Sequence, residues 1–357
     1  MRFAFFGSSL VSSYWNGACT YYRGVIRCLH ERGHEIVFYE PIAYERQEHR
    51  DIADPDYARV VIYDAQTEGQ VLQTVQSARQ GFDVVVKCSG VGVHDALLAA
   101  AVLDLRAPVT IFWDVDAPAT LGAMEACERD PLRARIGEFD FVLTYGGGDP
   151  VVRRYRALGA RECIPVYNAL DPTTHHPVAP RDGLRADLSF LGNRLPDREA
   201  RVEEFFFNAA ANAPSHACLL GGSGWGDRVG GLANVRYTGH VSTRDHNALN
   251  CSALAVLNVS RESMAANGFS PATRVFEAAG AGACVITDAW EGIEQFLEPG
   301  EEVLVAHDGA QVAELLGELD PRRAREIGAA ALQRVLAAHT YSLRAAQVEA
   351  LLTGVPA

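Results

Sequence analysis

Residues 168–186 read NALDPTTHHPVAPRDGLRA. Pro172, Pro177 and Pro180, set among polar residues, leave this stretch without a helical or strand period, so it marks a break between two folded segments. Before it, short apolar runs alternate with helix-length amphipathic segments: RFAFFG at 2–7, a helix near Tyr21 to Arg32, EIVFYE at 35–40, DVVVKCSG at 83–90, PVTIFWD at 108–114, FVLTYGG at 141–147 and CIPVYN at 163–168. After it the series restarts with DLSFLGN at 187–193, ACLLGG at 217–222, VRYTG at 235–239, LAVLNVS at 254–260, ACVITD at 283–288 and EVLVAHD at 302–308. Such alternation belongs to βα units stacked on a parallel sheet. The expected organisation is therefore a Rossmann-like half at 1–168, a linker at 169–186 and a second Rossmann-like half at 187–335. The segment Ala329 to Leu352 reads as helical, and 336–357 is expected to pack back onto the first half. Open α/β sheets bind ligands outside the carboxyl ends of their strands, which directs attention to the loops that follow each strand.

Composition narrows the classes. With 48% hydrophobic and 22% charged residues over 357 positions, the chain is globular throughout and long enough for two cores. A formal charge of −13 repels nucleic acid and anionic bilayers. The absence of an apolar run near the ~20 residues of a spanning helix leads to the expectation of a cytoplasmic protein without a transmembrane segment. The eight cysteines form no CxxC pair, so neither a zinc site nor a disulfide framework is expected.

In the first half, the loop Ser8 to Gly17 follows the first strand and precedes a helix. A polar loop in that place turns backbone N–H groups toward a ligand, making Trp15, Asn16 and Gly17 candidate acceptor-side residues. The dinucleotide fingerprint GxGxxG is absent, because Gly7 is followed by Ser8 and Ser9, and this argues against a dehydrogenase. Gly147 and Asp149 of Tyr145-Gly146-Gly147-Gly148-Asp149-Pro150 join the acceptor-side set; alternatively the glycines serve a turn and Asp149 caps a helix. His94, after Cys88-Ser89-Gly90-Val91-Gly92, is a candidate catalytic group, with helix capping or a structural hydrogen bond as its alternative. In Trp113-Asp114-Val115-Asp116-Ala117-Pro118 two carboxylates stand beside an aromatic, a set that suits sugar hydroxyls or deprotonation of a hydroxyl. Asp116 ranks first as general base, ahead of Asp114 and His94; its alternative is to cap the helix near Pro118.

The second half carries the sharper motifs. Gly192, Asn193 and Arg194 follow the strand DLSF and combine a glycine, a short amide and a guanidinium, the makings of a diphosphate cradle. The stretch NGFSPATRVFEAAGAGA at 267–283 places a glycine loop, Gly268 and Phe269, before a helix whose first turn is read to carry Ser270, Thr273 and Arg274. Hydroxyls, N–H groups and a positive charge at a helix start suit a nucleotide diphosphate. Glu277, one turn on, would accept hydrogen bonds from ribose hydroxyls, since an ionised carboxylate on an otherwise small and apolar helix is costly without a partner.

Several of these pieces occur together in a known pattern. Trp15-Asn16-Gly17 with Tyr21-Tyr22-Arg23-Gly24, RGHEIVFYEP at 32–41, TYGGGDPVV at 144–152, YNALDPTTHHPV at 167–178, FLGNR at 190–194, RVFEAAGAGACVITDAWEGIE at 274–294 and His339-Thr340-Tyr341 resemble the CgeB-like proteins, a branch of the GT-B glycosyltransferases. The resemblance runs in order across nearly the whole chain. It implies an α/β protein of GT-B architecture, two Rossmann-like domains facing each other across a cleft, that moves a sugar from a nucleotide-diphosphate sugar to an acceptor. UDP, GDP and dTDP are the donor nucleotides considered, and a glycan, a small molecule or a protein the acceptor. No cofactor or metal is expected, although Asp114-Val115-Asp116 formally spells DxD. A nucleotide-sugar epimerase of the same fold, or a silent nucleotide-sugar-binding protein, is the alternative. In related retaining enzymes two glutamates are separated by seven residues; Glu277 matches the second, whereas Phe269 stands where the first would be. Inverting and retaining outcomes both stay open.

Overall fold

The computed structural model describes residues 1–14 and 16–354, so Trp15 lies outside the described residues. The chain divides into two units: Met1–Tyr167 together with the residues from Tyr341 on, and Asn168–Thr340. In the first, β1 (Arg2–Phe6), β2 (Glu35–Pro41), β3 (Arg59–Tyr63), β4 (Val84–Cys88), β5 (Val109–Asp114), β6 (Phe141–Thr144) and β7 (Cys163–Pro165) form a parallel sheet in the order β3-β2-β1-β4-β5-β6-β7. In the second, β8 (Ala186–Leu191), β9 (Cys218–Gly221), β10 (Val235–Gly239), β11 (Ala253–Asn258), β12 (Val285–Asp288) and β13 (Leu304–Ala306) form another, in the order β10-β9-β8-β11-β12-β13. The strand order reverses between β1 and β4 in one sheet and between β8 and β11 in the other. Loops leaving these strands diverge to opposite faces there, which opens a crevice at the carboxyl edge.

The two Rossmann-like sheets expected from the sequence are present. Central strands such as Val84–Cys88 are apolar runs with helices on both faces, hence buried along their whole length. β3 escapes the sequence reading because it is an edge strand, only partly buried, and RVVIY lacks the contrast of the central runs.

Two boundaries differ from expectation for physical reasons. The 169–186 stretch does not run free: Val178 N–H donates to Cys251 Sγ at 3.4 Å, Arg181 N–H to Ser252 Oγ at 2.8 Å, and His175 is buried. Proline removes regular structure but not the ability to pack. The helical segment read at 329–352 is two helices, Pro321–Ala338 in the second unit and Tyr341–Thr353 in the first. Between them Leu170 N–H donates to the His339 carbonyl at 2.8 Å, and Leu170 bridges Thr340, so the chain turns where it changes units. Within the first unit the Tyr341–Thr353 helix lies hard against the Cys19–Glu31 helix: a Cβ on Gly24 would come within 2.2 Å of the Tyr341 ring. Arg32 pairs with Glu349 across the same contact. No helix among the described residues is long and apolar enough to cross a membrane.

Candidate functional site

At the carboxyl end of β8 the Gly192–Arg194 loop is held by main-chain bonds, Gly192 N–H to Gly221 O and Arg194 N–H to Ser223 O, both 3.0 Å. Asn193 Oδ1 accepts from Ser223 N–H at 2.9 Å, which makes Asn193 a loop staple. Arg194 requires a correction to its expected phosphate role. Its guanidinium donates to both Asp227 oxygens at 3.0 Å and pairs with Glu199, so two carboxylates already answer its charge.

Arg198 is the less fully paired guanidinium at this loop. A Cβ on Gly192 would meet Arg198 Nη1 at 2.8 Å, so the guanidinium rests against the loop backbone, and its buried Nε has no hydrogen-bond partner among the described residues. Burial, then the like charges of Arg274 and Arg261, push the Arg198 guanidinium below its ordinary value. Arg261 donates to Asp197 at 2.5 Å, whereas the buried Arg274 Nη1 lacks a hydrogen-bond acceptor among the described residues. Three guanidinium groups gathered in a half-buried place beside Asp197 and Glu277 favour a further anion among them. Sequence reading stopped at Arg194; the signal for Arg198 was a second arginine four positions on in GNRLPDRE.

The loop before the Thr273–Gly280 helix is strained. Gly268 has φ +66°, and a Cβ there would lie 2.9 Å from Glu291 Cβ. Phe269 follows with φ +46°, a conformation that side-chain-bearing residues rarely adopt and that costs about 1–3 kcal/mol. It is held by Phe269 N–H donating to Glu291 O at 2.6 Å and by its ring lying over Gly292. Phe269 therefore secures the loop, and its main chain rather than its ring shapes the site. Ser270 does not reach the helix, which begins at Thr273; its hydroxyl donates to Gly268 O at 2.9 Å. The N-cap residue Ala272 supplies no side-chain acceptor to the first turn, where Val275 N–H bonds the Ala272 carbonyl at 3.0 Å, and the helix dipole favours an anion at this end.

Glu277 lies one turn further along, with 13% of its side chain exposed. Its Oε1 is 3.7 Å from His175 Nε2 and its Oε2 is 3.7 Å from Arg274 Nη1. Burial alone would push this carboxyl up, but the Arg274 guanidinium 3.7 Å away leads the influences that outweigh it and hold the group below its usual value. His246 is pushed down to about 4 by burial and next by the Arg274 charge, so its imidazole is neutral at physiological pH. Neither histidine was singled out from sequence, because they come from a proline-rich stretch and a polar turn far from Glu277 along the chain.

In the first unit the structure sorts the acid candidates. Asp114 ends β5 with no exposed surface; Oδ2 accepts from Tyr155 Oη–H at 2.6 Å, and Oδ1 from Thr120 Oγ1–H and Asp116 N–H, both 3.0 Å. Both oxygens are engaged and the side chain has no exposed surface, which counts against Asp114 as a base. Asp116, the N-cap residue of the Ala117–Ala126 helix, makes no side-chain capping bond and is half-buried, so capping does not occupy its carboxylate. His94 stands at φ +50° as the N-cap residue of the Asp95–Asp104 helix, with Nε2 3.2 Å from Ala65 O. That contact assigns it a structural hydrogen bond.

Asn16 is also corrected. Its amide donates to Ser9 O at 2.8 Å and Ser12 O at 3.1 Å and accepts from Ser8 Oγ–H at 3.0 Å, so it closes the 8–16 loop upon itself. Gly17 has nothing within 4 Å of where a Cβ would stand, so close backbone packing does not explain its choice. Gly147 has φ +89°, and a Cβ there would strike Val151 at 2.1 Å; the turn itself demands glycine. Asp149 is exposed in the first turn of the Gly148–Ala157 helix, where its charge favours the helix dipole.

Two doubly wound parallel sheets in one chain, of seven and six strands, are the GT-B architecture. Residues 198–350 match the family described as glycosyl transferase-like. Among solved structures, the chain is similar to HepE of Anabaena in complex with UDP and glucose, with 14% identity, a TM-score of 0.69 and coverage of 99% of this chain and 100% of the other. It is also similar to sucrose-phosphate synthase of Thermosynechococcus elongatus, with 16% identity, a TM-score of 0.72 and 99% coverage of both chains. No curated protein matches the chain in sequence.

Proposed function

We propose that the protein is a glycosyltransferase that takes its sugar from a nucleotide-diphosphate donor held by the second unit. The observation that carries this reading is the pairing, around one helix, of an anion-binding and a hydroxyl-binding element. Among the described residues, buried N–H groups of Arg198 and Arg274 lack hydrogen-bond acceptors, and the Thr273–Gly280 helix start has no side-chain cap. Glu277 stands one turn away with its carboxyl held ionised. A diphosphate answers the first set and ribose hydroxyls the second. UDP is the favoured nucleotide, supported by the complex of Anabaena HepE with UDP-glucose.

In the reaction, the acceptor hydroxyl gives its proton to Asp116, its oxygen bonds to the anomeric carbon, and the bond from that carbon to the diphosphate oxygen breaks. The electron pair stays on the diphosphate, where Arg198, Arg274 and the first-turn N–H groups stabilise it. The glycosyl transferase-like match of residues 198–350 favours transfer over epimerisation.

UDP should raise the thermal unfolding temperature more than NAD does, because a ligand at 100 times its Kd adds about 2.7 kcal/mol. Loss of Glu277 removes a charged hydrogen bond, so Glu277→Ala should weaken UDP binding by about 1.5–3 kcal/mol in calorimetric titration. Unchanged affinity would remove the ribose role. In the same titration Arg198→Ala should lose about tenfold in affinity or more. Arg194→Ala should stay within about twofold, because its partners are Glu199 and Asp227. The reverse order would return the diphosphate to Arg194.

A further inference from the structure

One ligand atom from each of His175, His246 and Glu277 lies within 4.8 Å of the others. His175 is 4% exposed, and its Nε2, like His246 Nδ1, is buried without a hydrogen-bond partner among the described residues. Thr174 Oγ1, 3.2 Å from Asp171 O, lies 3.0 Å from His175 Nδ1 and orients the ring, so that Nε2 faces Glu277 Oε1 at 3.7 Å, beyond hydrogen-bond range. Donor atoms of His175, His246 and Glu277 thus gather around one place that a cation would fill. On the opposite side the Arg274 charge lies 3.7 Å from Oε2, and Oε1 is the oxygen facing His175.

We propose that His175, His246 and Glu277 form a binding site for a divalent transition metal of the zinc class, with a fourth position open. Ligands at 2.0–2.2 Å in tetrahedral array stand roughly 3.3–3.5 Å apart, close to the 3.7 Å between His175 Nε2 and Glu277 Oε1. Two imidazoles and one carboxylate select Zn²⁺, Co²⁺, Ni²⁺ or Cu²⁺ over Mg²⁺ and Ca²⁺, which take oxygen shells. The Thr174 hydroxyl, 3.0 Å from Nδ1, is the contact through the other ring nitrogen that a metal-binding histidine usually makes. The consequence rests on the ribose role of Glu277. A metal on Oε1 occupies the carboxylate that the ribose hydroxyls use, so metal and nucleotide exclude one another, and the metal is an inhibitor of donor binding.

The test uses the full-length chain, stripped with chelator and titrated with Co²⁺ and Zn²⁺. One site per chain with the visible absorption of tetrahedral cobalt is expected, displaced by Zn²⁺ and unaffected by Mg²⁺. His175→Ala and His246→Ala should each weaken the metal at least tenfold while the far-ultraviolet circular dichroism is unchanged. If either variant unfolds, His175→Gln and His246→Gln replace it. Saturating Zn²⁺ should raise the apparent Kd for UDP at least tenfold in wild type and not in His246→Ala. Absence of metal binding alongside normal UDP binding would overturn the site and leave the donor reading standing. Metal binding without any UDP binding would uphold the site and sink the donor reading. Simultaneous binding of both without mutual effect would overturn the inhibition.

Discussion

Asp116→Asn is expected to lower turnover of UDP-glucose by about 10²- to 10⁴-fold, the usual contribution of a positioned general base. Turnover is read as UDP release, with water serving as acceptor where no sugar is supplied. The substitution keeps the shape of the side chain and removes the proton acceptor. Three features put Asp116 ahead of its neighbours. It follows β5 at the carboxyl edge of the sheet, where this fold class places its ligands. Its side chain is not engaged in capping the helix it precedes. Its backbone N–H is tied to Asp114 Oδ1 at 3.0 Å, and Asp114 is in turn fixed by Tyr155 and Thr120, so the carboxylate of Asp116 is presented from a rigid base. Asp114→Asn should therefore reduce activity through loss of position and lower the melting temperature as well, whereas Asp116→Asn should leave melting within about 1 °C. Near wild-type turnover in Asp116→Asn would remove it as base. Retention, with the departing diphosphate oxygen taking the proton, would then be the better mechanism, and the anomeric configuration of the product decides between the two.

The largest expected effect on stability belongs to Asp288, at the end of β12 with no exposed surface. Its Oδ2 accepts from Arg201 Nη2 at 2.6 Å, and its Oδ1 accepts from Ser260 N–H at 3.0 Å and Ser260 Oγ–H at 3.1 Å. Burial pushes the carboxyl up even with Arg201 opposing, so the pair is held by its geometry rather than by generous electrostatics. Removing one partner of a buried pair leaves the other charge desolvated, and Asp288→Ala should cost about 3–5 kcal/mol. That corresponds to a fall of roughly 10 °C in the unfolding transition of the second unit. Asp288→Asn, which keeps acceptors for Ser260, should lose less. A change within about 1 kcal/mol for the alanine variant would show that the network is dispensable. Because Ser260 and Arg261 follow β11 at the switch point, the same loss should loosen the guanidinium cluster and weaken UDP binding along with stability.

What the sequence determined by itself was periodic and local. Runs such as DVVVKCSG and LAVLNVS announce buried parallel strands because both faces are apolar, and the restart after 186 announces a second sheet. The helix carrying Arg274 and Glu277 was equally legible, since a charged residue among AAGAGA stands out against its neighbours. Tertiary structure alone decided how the charges are paired. Arg194 and Arg198 look alike in GNRLPDRE, but Asp227 folds back onto the first, whereas the buried Nε of the second has no hydrogen-bond partner among the described residues. Asp114 and Asp116 are two positions apart, yet it is Asp114 whose carboxylate Tyr155 and Thr120 arrive from later helices to bond. His175, His246 and Glu277 meet only because a proline-rich crossing, a turn after β10 and a helix after β11 converge on one place. Periodicity records the burial of a segment against its own sheet, whereas charge compensation is settled by residues distant in sequence, and no spacing along the chain encodes it.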